Sequence, residues 1–366
     1  MDAAILPLFA KQYKVTDPRD YVYGFDAVIC IEHGVDYNKC KKEVYMDWFS
    51  SVTDGGRVDL MAYAGISLLD LEKSEWPSWL PDLALIRDGQ TSIAEYSIRT
   101  AGAFFLDDTE DIVDNVLHIS GARLGDKVER IFEPEPMAFS GRNISKLGNL
   151  HLTCFSILAN ASDHHPSGIR PLQAFLLTLV NGFQRKRTVS LKHLLEANDP
   201  ELASLLYVVC FPDLDLHLKP MIHDFVSIYG PSWNSMGFKG TADLGNALKQ
   251  QILGESRSRT WGMTDHLPWL ESDHHLEAEL IQAFGYHTTF QTANGYIGIG
   301  PRELRKGDEL CFLSRGKVPM LLRTENERNS RVTKVVGPCF IHDLSCSVIQ
   351  EWVASGKVNV ERFSIH

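Results

Sequence analysis

The sequence contains no CxxC pair, although it holds seven cysteines: Cys30, Cys40, Cys154, Cys210, Cys311, Cys339 and Cys346. Scattered and odd in number, they fit neither a disulfide framework nor a zinc ribbon, and they read as the reduced thiols of an intracellular protein. Long hydrophobic runs are also missing: none approaches the roughly 18 residues of a membrane helix. The opening stretch MDAAILPLFAKQYK has neither a basic segment nor a small-residue cleavage site. The expectation is a cytoplasmic protein with no membrane span. In that setting the sequons Asn143-Ile144-Ser145 and Asn160-Ala161-Ser162 carry no weight. A basic surplus is absent as well, since 36 Lys and Arg face 47 Asp and Glu, for a formal net charge of −11. This balance argues against a nucleic-acid partner, and Gln184-Arg185-Lys186-Arg187 reads as a solvated helix end.

Chemical signatures are equally sparse. There is no GxSxG elbow and no recognisable Cys–His arrangement. Asp107-Asp108-Thr109-Glu110-Asp111 matches the DDxxD pattern with which terpene cyclases hold magnesium diphosphate. That chemistry needs the motif on a long helix opposite a second one; here it stands alone ahead of a strand, so it reads as an acidic turn. Gly295-Tyr296-Ile297-Gly298-Ile299-Gly300-Pro301 places proline where a phosphate loop would open a helix, and reads as tight strand packing. Asp213, Asp215 and His217 could line one strand face with ligands, as could Asp163-His164-His165 and Asp273-His274-His275. None has a matching partner cluster, and each reads more readily as a turn or exposed face. The sequence therefore predicts no metal site and no cofactor.

What is present is a chain of 366 residues, 44% hydrophobic and 23% charged, long enough to bury a large core in one or two domains. A helix is expected near the N-terminus. Another start follows at Thr16-Asp17-Pro18-Arg19-Asp20, with Asp17 as cap, and helical pieces over 39–51 and 57–64 flank Gly55-Gly56. Val116 to Leu124 alternates as a strand, and 172–179, 191–195 and 201–209 have helical spacing. Short strands over 295–299, 309–313, 318–323 and 332–336, divided by turns such as Arg305-Lys306-Gly307-Asp308, suggest a small antiparallel barrel.

The predicted fold class is α+β: helical N-terminal and central regions packed on a small antiparallel β-barrel formed mainly by the C-terminal third. The expected regions are 1–90, helical and ending in a connector; 91–135, strands joining the barrel; 136–283, mainly helical; and 284–366, barrel-like with a terminal helix.

That connector is Trp76-Pro77-Ser78-Trp79-Leu80-Pro81-Asp82. Two prolines fix φ, remove donors and keep the preceding residues extended. Two tryptophans seek burial with a partner for each indole N–H. The segment reads as a rigid strut that docks the N-terminal helices on the barrel, or else as one wall of a cavity between them.

Several stretches resemble one family. Asp17-Pro18-Arg19-Asp20-Tyr21-Val22-Tyr23-Gly24 is similar to the DPRDKVYALLGL segment of fungal heterokaryon-incompatibility (HET) proteins. Asp36-Tyr37-Asn38-Lys39 with Glu43-Val44-Tyr45, Leu60-Met61-Ala62-Tyr63-Ala64 and Pro77–Asp82 resemble their DYSKSVEEVY, LLSYA and PSWVPDW. Gly295–Pro301 and Gly316-Lys317-Val318-Pro319-Met320-Leu321-Leu322-Arg323 resemble GYLGLGP and GGKVPFVLR. Order and spacing agree along nearly the whole chain. The resemblance implies a fungal protein with the scaffold that follows the HET domain. With so little sequence ahead of DPRD, the expectation is the scaffold alone, without the domain associated with cell death. Just before Phe290, where relatives tend to carry two arginines, stand His287 and Thr288.

Two functions of different class follow. One is a cofactor-independent enzyme of fungal secondary metabolism, terpenoid or polyketide, most concretely a Diels–Alder-type [4+2] cyclase that folds a small apolar substrate into a reactive geometry. The other is a non-enzymatic HET-family regulator or decoy in incompatibility or immune signalling. For the enzyme, His287 and Tyr229 are the candidate catalytic donors. Trp233, Tyr296, Trp261, His266 and His223 are candidates for lining the substrate pocket, and the alternative is that these are ordinary core aromatics and His287 an exposed histidine.

Overall fold

In a computed structural model the described residues are 6–10, 12–25, 34–52, 56–65, 76–86, 93, 102–106, 110–132, 146–161, 165–183, 247, 250, 287–327 and 330–366. The fold is mixed α+β with an eight-stranded, mostly antiparallel sheet. Helices α1 (Leu6–Ala10), α2 (Asp20–Tyr23), α3 (Lys41–Ser51) and α4 (Gly56–Met61) come first. Strands β1 (Asp111–Val113) and β2 (Val116–Ile131) follow, then helices α5 (Lys146–Asn160) and α6 (Pro171–Phe183). The chain continues through β3 (His287–Thr292), β4 (Ile297–Pro301), β5 (Glu309–Leu313), β6 (Met320–Glu327) and β7 (Ser330–Pro338). Helix α7 (Cys346–Ala354) and β8 (Asn359–Ile365) complete it. The strand order is β4-β3-β2-β5-β6-β7-β8, with β1 paired to β2. Two compact units result: Met1–Glu129 with Ile299–His366, and Arg130–Gly298.

The first unit contains a closed circuit of strand pairings. Strand β2 pairs antiparallel with β5 and also with β8, where seven pairs run from Leu117–Ile365 to Arg123–Asn359. Strand β5 pairs with β6, and β6 with β7 in a long hairpin. Only one parallel pair, Thr333 with Ile365, joins β7 to β8. The circuit is therefore weakest at that seam, and there the tryptophan–proline segment intervenes. Ser78 donates its backbone N–H to the backbone oxygen of His366 at 3.0 Å, and its hydroxyl donates to the same oxygen. That hydroxyl accepts from the Val335 N–H at 2.9 Å. A side chain thus supplies hydrogen bonds that a continuous backbone ladder would otherwise make.

Helix α3 covers this sheet. Glu43 accepts from the N–H of Cys40 at 2.7 Å, which completes half of a capping box. Val44, Tyr45, Trp48 and Phe49 form its buried face at the i, i+1, i+4 and i+5 spacing of an amphipathic helix. They join Trp79, Leu80, Leu117, Ile119, Leu313, Leu322, Val335 and Phe363 in one core. Trp79 is fully buried, 5.0 Å from the Phe49 ring centroid, and its indole donates to the backbone oxygen of Asn115 at 3.2 Å. The segment therefore fastens helix α3 to the sheet, as a strut does.

The turn before β5 is held by a buried ion pair. Arg323 grips Asp308 through Nε at 2.7 Å and Nη2 at 2.9 Å, and Asp308 also accepts from the Arg305 N–H at 2.7 Å. Paired this fully, the buried charges retain partners for their desolvated groups.

The expected elements shift in detail. Arg19, not Asp17, stands at the N-cap of α2, and Asp17 instead accepts from the Arg19 N–H and guanidinium. Strand β4 begins at Ile297 rather than 295, because Gly295 (φ +96°) occupies the turn. Helix α7 is not terminal: strand β8 follows it. The helical stretches expected over 191–195 and 201–209 lie outside the described residues.

Candidate functional site

Of the seven candidate residues, His287 and Tyr296 are described. Tyr229, Trp233, Trp261, His266 and His223 lie outside the described residues. His287 opens β3 and is half-buried, and Tyr296 is buried just after the β3–β4 turn. Both belong to the second unit.

The composition of β3 is unusual for a buried strand. Thr288, Thr289, Gln291 and Thr292 are all buried around Phe290. Buried hydroxyls and amides need hydrogen-bond partners, and part of this demand is met locally. The Thr292 hydroxyl accepts from the Tyr296 N–H at 3.1 Å, and Gln291 reaches the Gly295 oxygen at 3.4 Å. Thr178 on α6 donates to the Ile297 oxygen at 3.2 Å, which ties the helix to the start of β4. Phe132 N–H donates to Thr289 oxygen at 2.9 Å and anchors the other edge.

The residue that sequence reading assigned differently is His165. It is buried, and its ring meets Tyr296 edge to face, with centroids 5.7 Å apart at 81°. Its Nδ1 lies 2.8 Å from the Ser167 hydroxyl and accepts from the Ser167 N–H at 3.4 Å. An accepting Nδ1 leaves Nε2 as the donor of the neutral ring. The turn that presents it closes through Gly168 N–H to His165 oxygen at 2.9 Å, with Gly168 at φ +75°. The sequence reading of this stretch as a turn or exposed face, ahead of metal ligation, agrees with the turn at His165-Pro166-Ser167-Gly168, but local sequence does not signal the burial of His165 against Tyr296.

In the acidic stretch that ends at the first residue of β1, Glu110 pairs with Arg57 at 3.5 Å and Asp111 with Arg362, so two of its groups are committed to ion pairs. Among the described residues no three His, Cys, Asp or Glu side chains gather as a metal-binding set, and no helix is long and apolar enough to cross a membrane.

The segments that carry the family resemblance fall largely in the first unit, where they bind one another. Arg19 donates to the backbone oxygens of Tyr37 at 2.6 Å and Lys39 at 2.9 Å. Tyr45 donates to Pro18 oxygen at 2.7 Å, Lys41 pairs with Asp82, and Lys317 pairs with Asp59 at 2.7 Å. These residues act as structural staples. Comparison with known proteins adds no assignment: no family model, no curated protein and no solved structure matches this chain.

Proposed function

We propose that the protein is a cofactor-independent cyclase of fungal secondary metabolism, most concretely a catalyst of [4+2] cycloaddition on a terpenoid or polyketide substrate. One observation carries this reading: the buried polar run of β3, with Tyr296 across its turn and His165 against the Tyr296 ring. A cycloaddition moves no proton or electron to the protein. It needs diene and dienophile held in reacting geometry, which is worth a large part of the barrier. A donor that polarises the carbonyl of the electron-poor alkene adds to this. Hydroxyls, an amide and imidazoles set among apolar side chains supply that kind of surface. In this proposal His287 is the polarising donor, Tyr229 a second one, and Trp233, Trp261, His266, His223 and Tyr296 line the pocket. The strand circuit of the first unit is the small barrel of an HET-type scaffold.

The regulator reading is favoured by a different observation. The residues behind the HET resemblance bond to each other in the first unit, which is what a retained binding scaffold also requires. Incubating the purified protein with linear trienes that carry a conjugated carbonyl dienophile separates the two. The cyclase reading expects cyclised product above the rate of the buffer reaction. Background rates across the panel, with a folded protein, favour the scaffold.

A further inference from the structure

Outside the second unit, one group of side chains has the geometry of a cation receptor. Tyr45 and Trp76 stand with ring centroids 5.6 Å apart and planes at 84°, so they form two perpendicular walls. The ammonium of Lys41 sits 4.8 Å from the Trp76 centroid and 5.6 Å from that of Tyr45. The Asp82 carboxylate closes a third side and pairs with the ammonium.

Each wall is anchored independently of Lys41. The Trp76 indole donates to Leu80 oxygen at 2.8 Å, Tyr45 donates to Pro18 oxygen at 2.7 Å, and Asp82 accepts from the Ala84 N–H at 3.1 Å. Withdrawing the lysine therefore removes the occupant and leaves the receptor. The Lys41 side chain is 28% exposed against 7% for Asp82, so the occupant lies on the solvent side of the carboxylate.

We propose that Tyr45, Trp76 and Asp82 form a binding site for an alkylated ammonium group, closed in the free protein by Lys41 as an internal occupant. The class follows from the walls. Aromatic faces attract cations through their quadrupole, and they favour alkylated ammonium, which gives up less hydration than a primary one. The carboxylate supplies the opposite charge in a sheltered position. The Lys41 ammonium competes from its flexible stem, so an external ligand binds the native protein weakly and a protein lacking the lysine binds more tightly.

The test is a calorimetric and NMR titration with tetramethylammonium chloride, with potassium chloride at equal ionic strength as the control. The native protein, Lys41→Ala and Lys41→Ala/Asp82→Asn are compared. Expected is saturable binding in Lys41→Ala, at least about tenfold tighter than in the native protein, within the range cation–π contacts supply. Weaker saturable binding should persist in the native protein, and the double variant should lose most of the gain. If Lys41→Ala fails to fold, Lys41→Gln takes its place with the same expectation. A folded variant with no saturable response up to about 100 mM, or one matched by potassium chloride, overturns the site. Absence of binding to the native protein alone overturns the displacement of Lys41.

Discussion

Ser78 holds His366 by two hydrogen bonds to one backbone oxygen, from its N–H at 3.0 Å and from its hydroxyl. The same hydroxyl accepts from Val335. One serine on a loop thus joins the two strands that share a single backbone pair. Ser78→Ala leaves the Val335 N–H buried without this acceptor. The expected loss is about 1–3 kcal/mol, read as a lower midpoint in urea unfolding with an unchanged slope. A midpoint equal to the native one would show that the seam does not depend on Ser78.

Trp79 acts beside it. Its ring is fully buried against Phe49, and its indole N–H is used by Asn115. Trp79→Ala removes a large aromatic from a packed core and should cost roughly 3–5 kcal/mol. Trp79→Phe keeps most of the packing and loses the hydrogen bond, so it should cost less. Thermal melting compares the two, and equal melting of both variants with the native protein would contradict the strut.

Acid sensitivity should have an identifiable origin at Asp17. Arg19, first through hydrogen bonds from its guanidinium and then through its backbone N–H, holds this carboxyl down at about 2. A folded value below the unfolded one means the carboxylate contributes stability above about pH 4 and loses it as pH falls toward 2. Asp17→Asn should flatten the dependence of stability on pH across that window, with no new dependence near neutrality. An unchanged acid limb in the variant would refute the assignment.

The cysteines should react in the order of their surroundings. Cys40 is exposed, whereas Cys154, Cys311 and Cys339 are buried. Burial pushes the Cys311 thiol up to about 12 and raises that of Cys339 further. Since the thiolate is the reactive form, iodoacetamide at neutral pH should modify Cys40 while Cys311 and Cys339 stay protected until unfolding. Early alkylation of Cys311, located by peptide mass spectrometry, would contradict the packing of β5.

Much of the sheet was legible because its strands follow simple rules. Strand β5 was read at 309–313, where the structure has it, since an apolar run between two turn segments leaves few options. The strand read over 116–124 extends to Ile131, because its second half carries charged side chains that sequence alternation undervalues. Strand β3 was missed: HTTFQT is polar at most positions, yet five of its six residues are buried, so no alternation marks it. Strand β8 was missed for the opposite reason, as only Phe363 and Ile365 point inward from a polar segment. Tyr296 and His287 could be named from the sequence as candidates, whereas the place of His165 against Tyr296 could not. The contact between His165 and Tyr296 joins residues 131 positions apart, and no local pattern reports it.

The central claim is that the second unit speeds and steers a cycloaddition. The direct measurement is chiral product analysis of a linear triene bearing a conjugated carbonyl dienophile, incubated with the native protein and with His287→Ala. The account predicts a rate above the buffer reaction and one enantiomer in excess with the native protein. It also predicts a loss of about a hundredfold in turnover for a folded His287→Ala, the scale of one hydrogen bond to developing charge. Racemic product at the buffer rate would contradict the cyclase, and full activity in His287→Ala would remove that residue from the reaction.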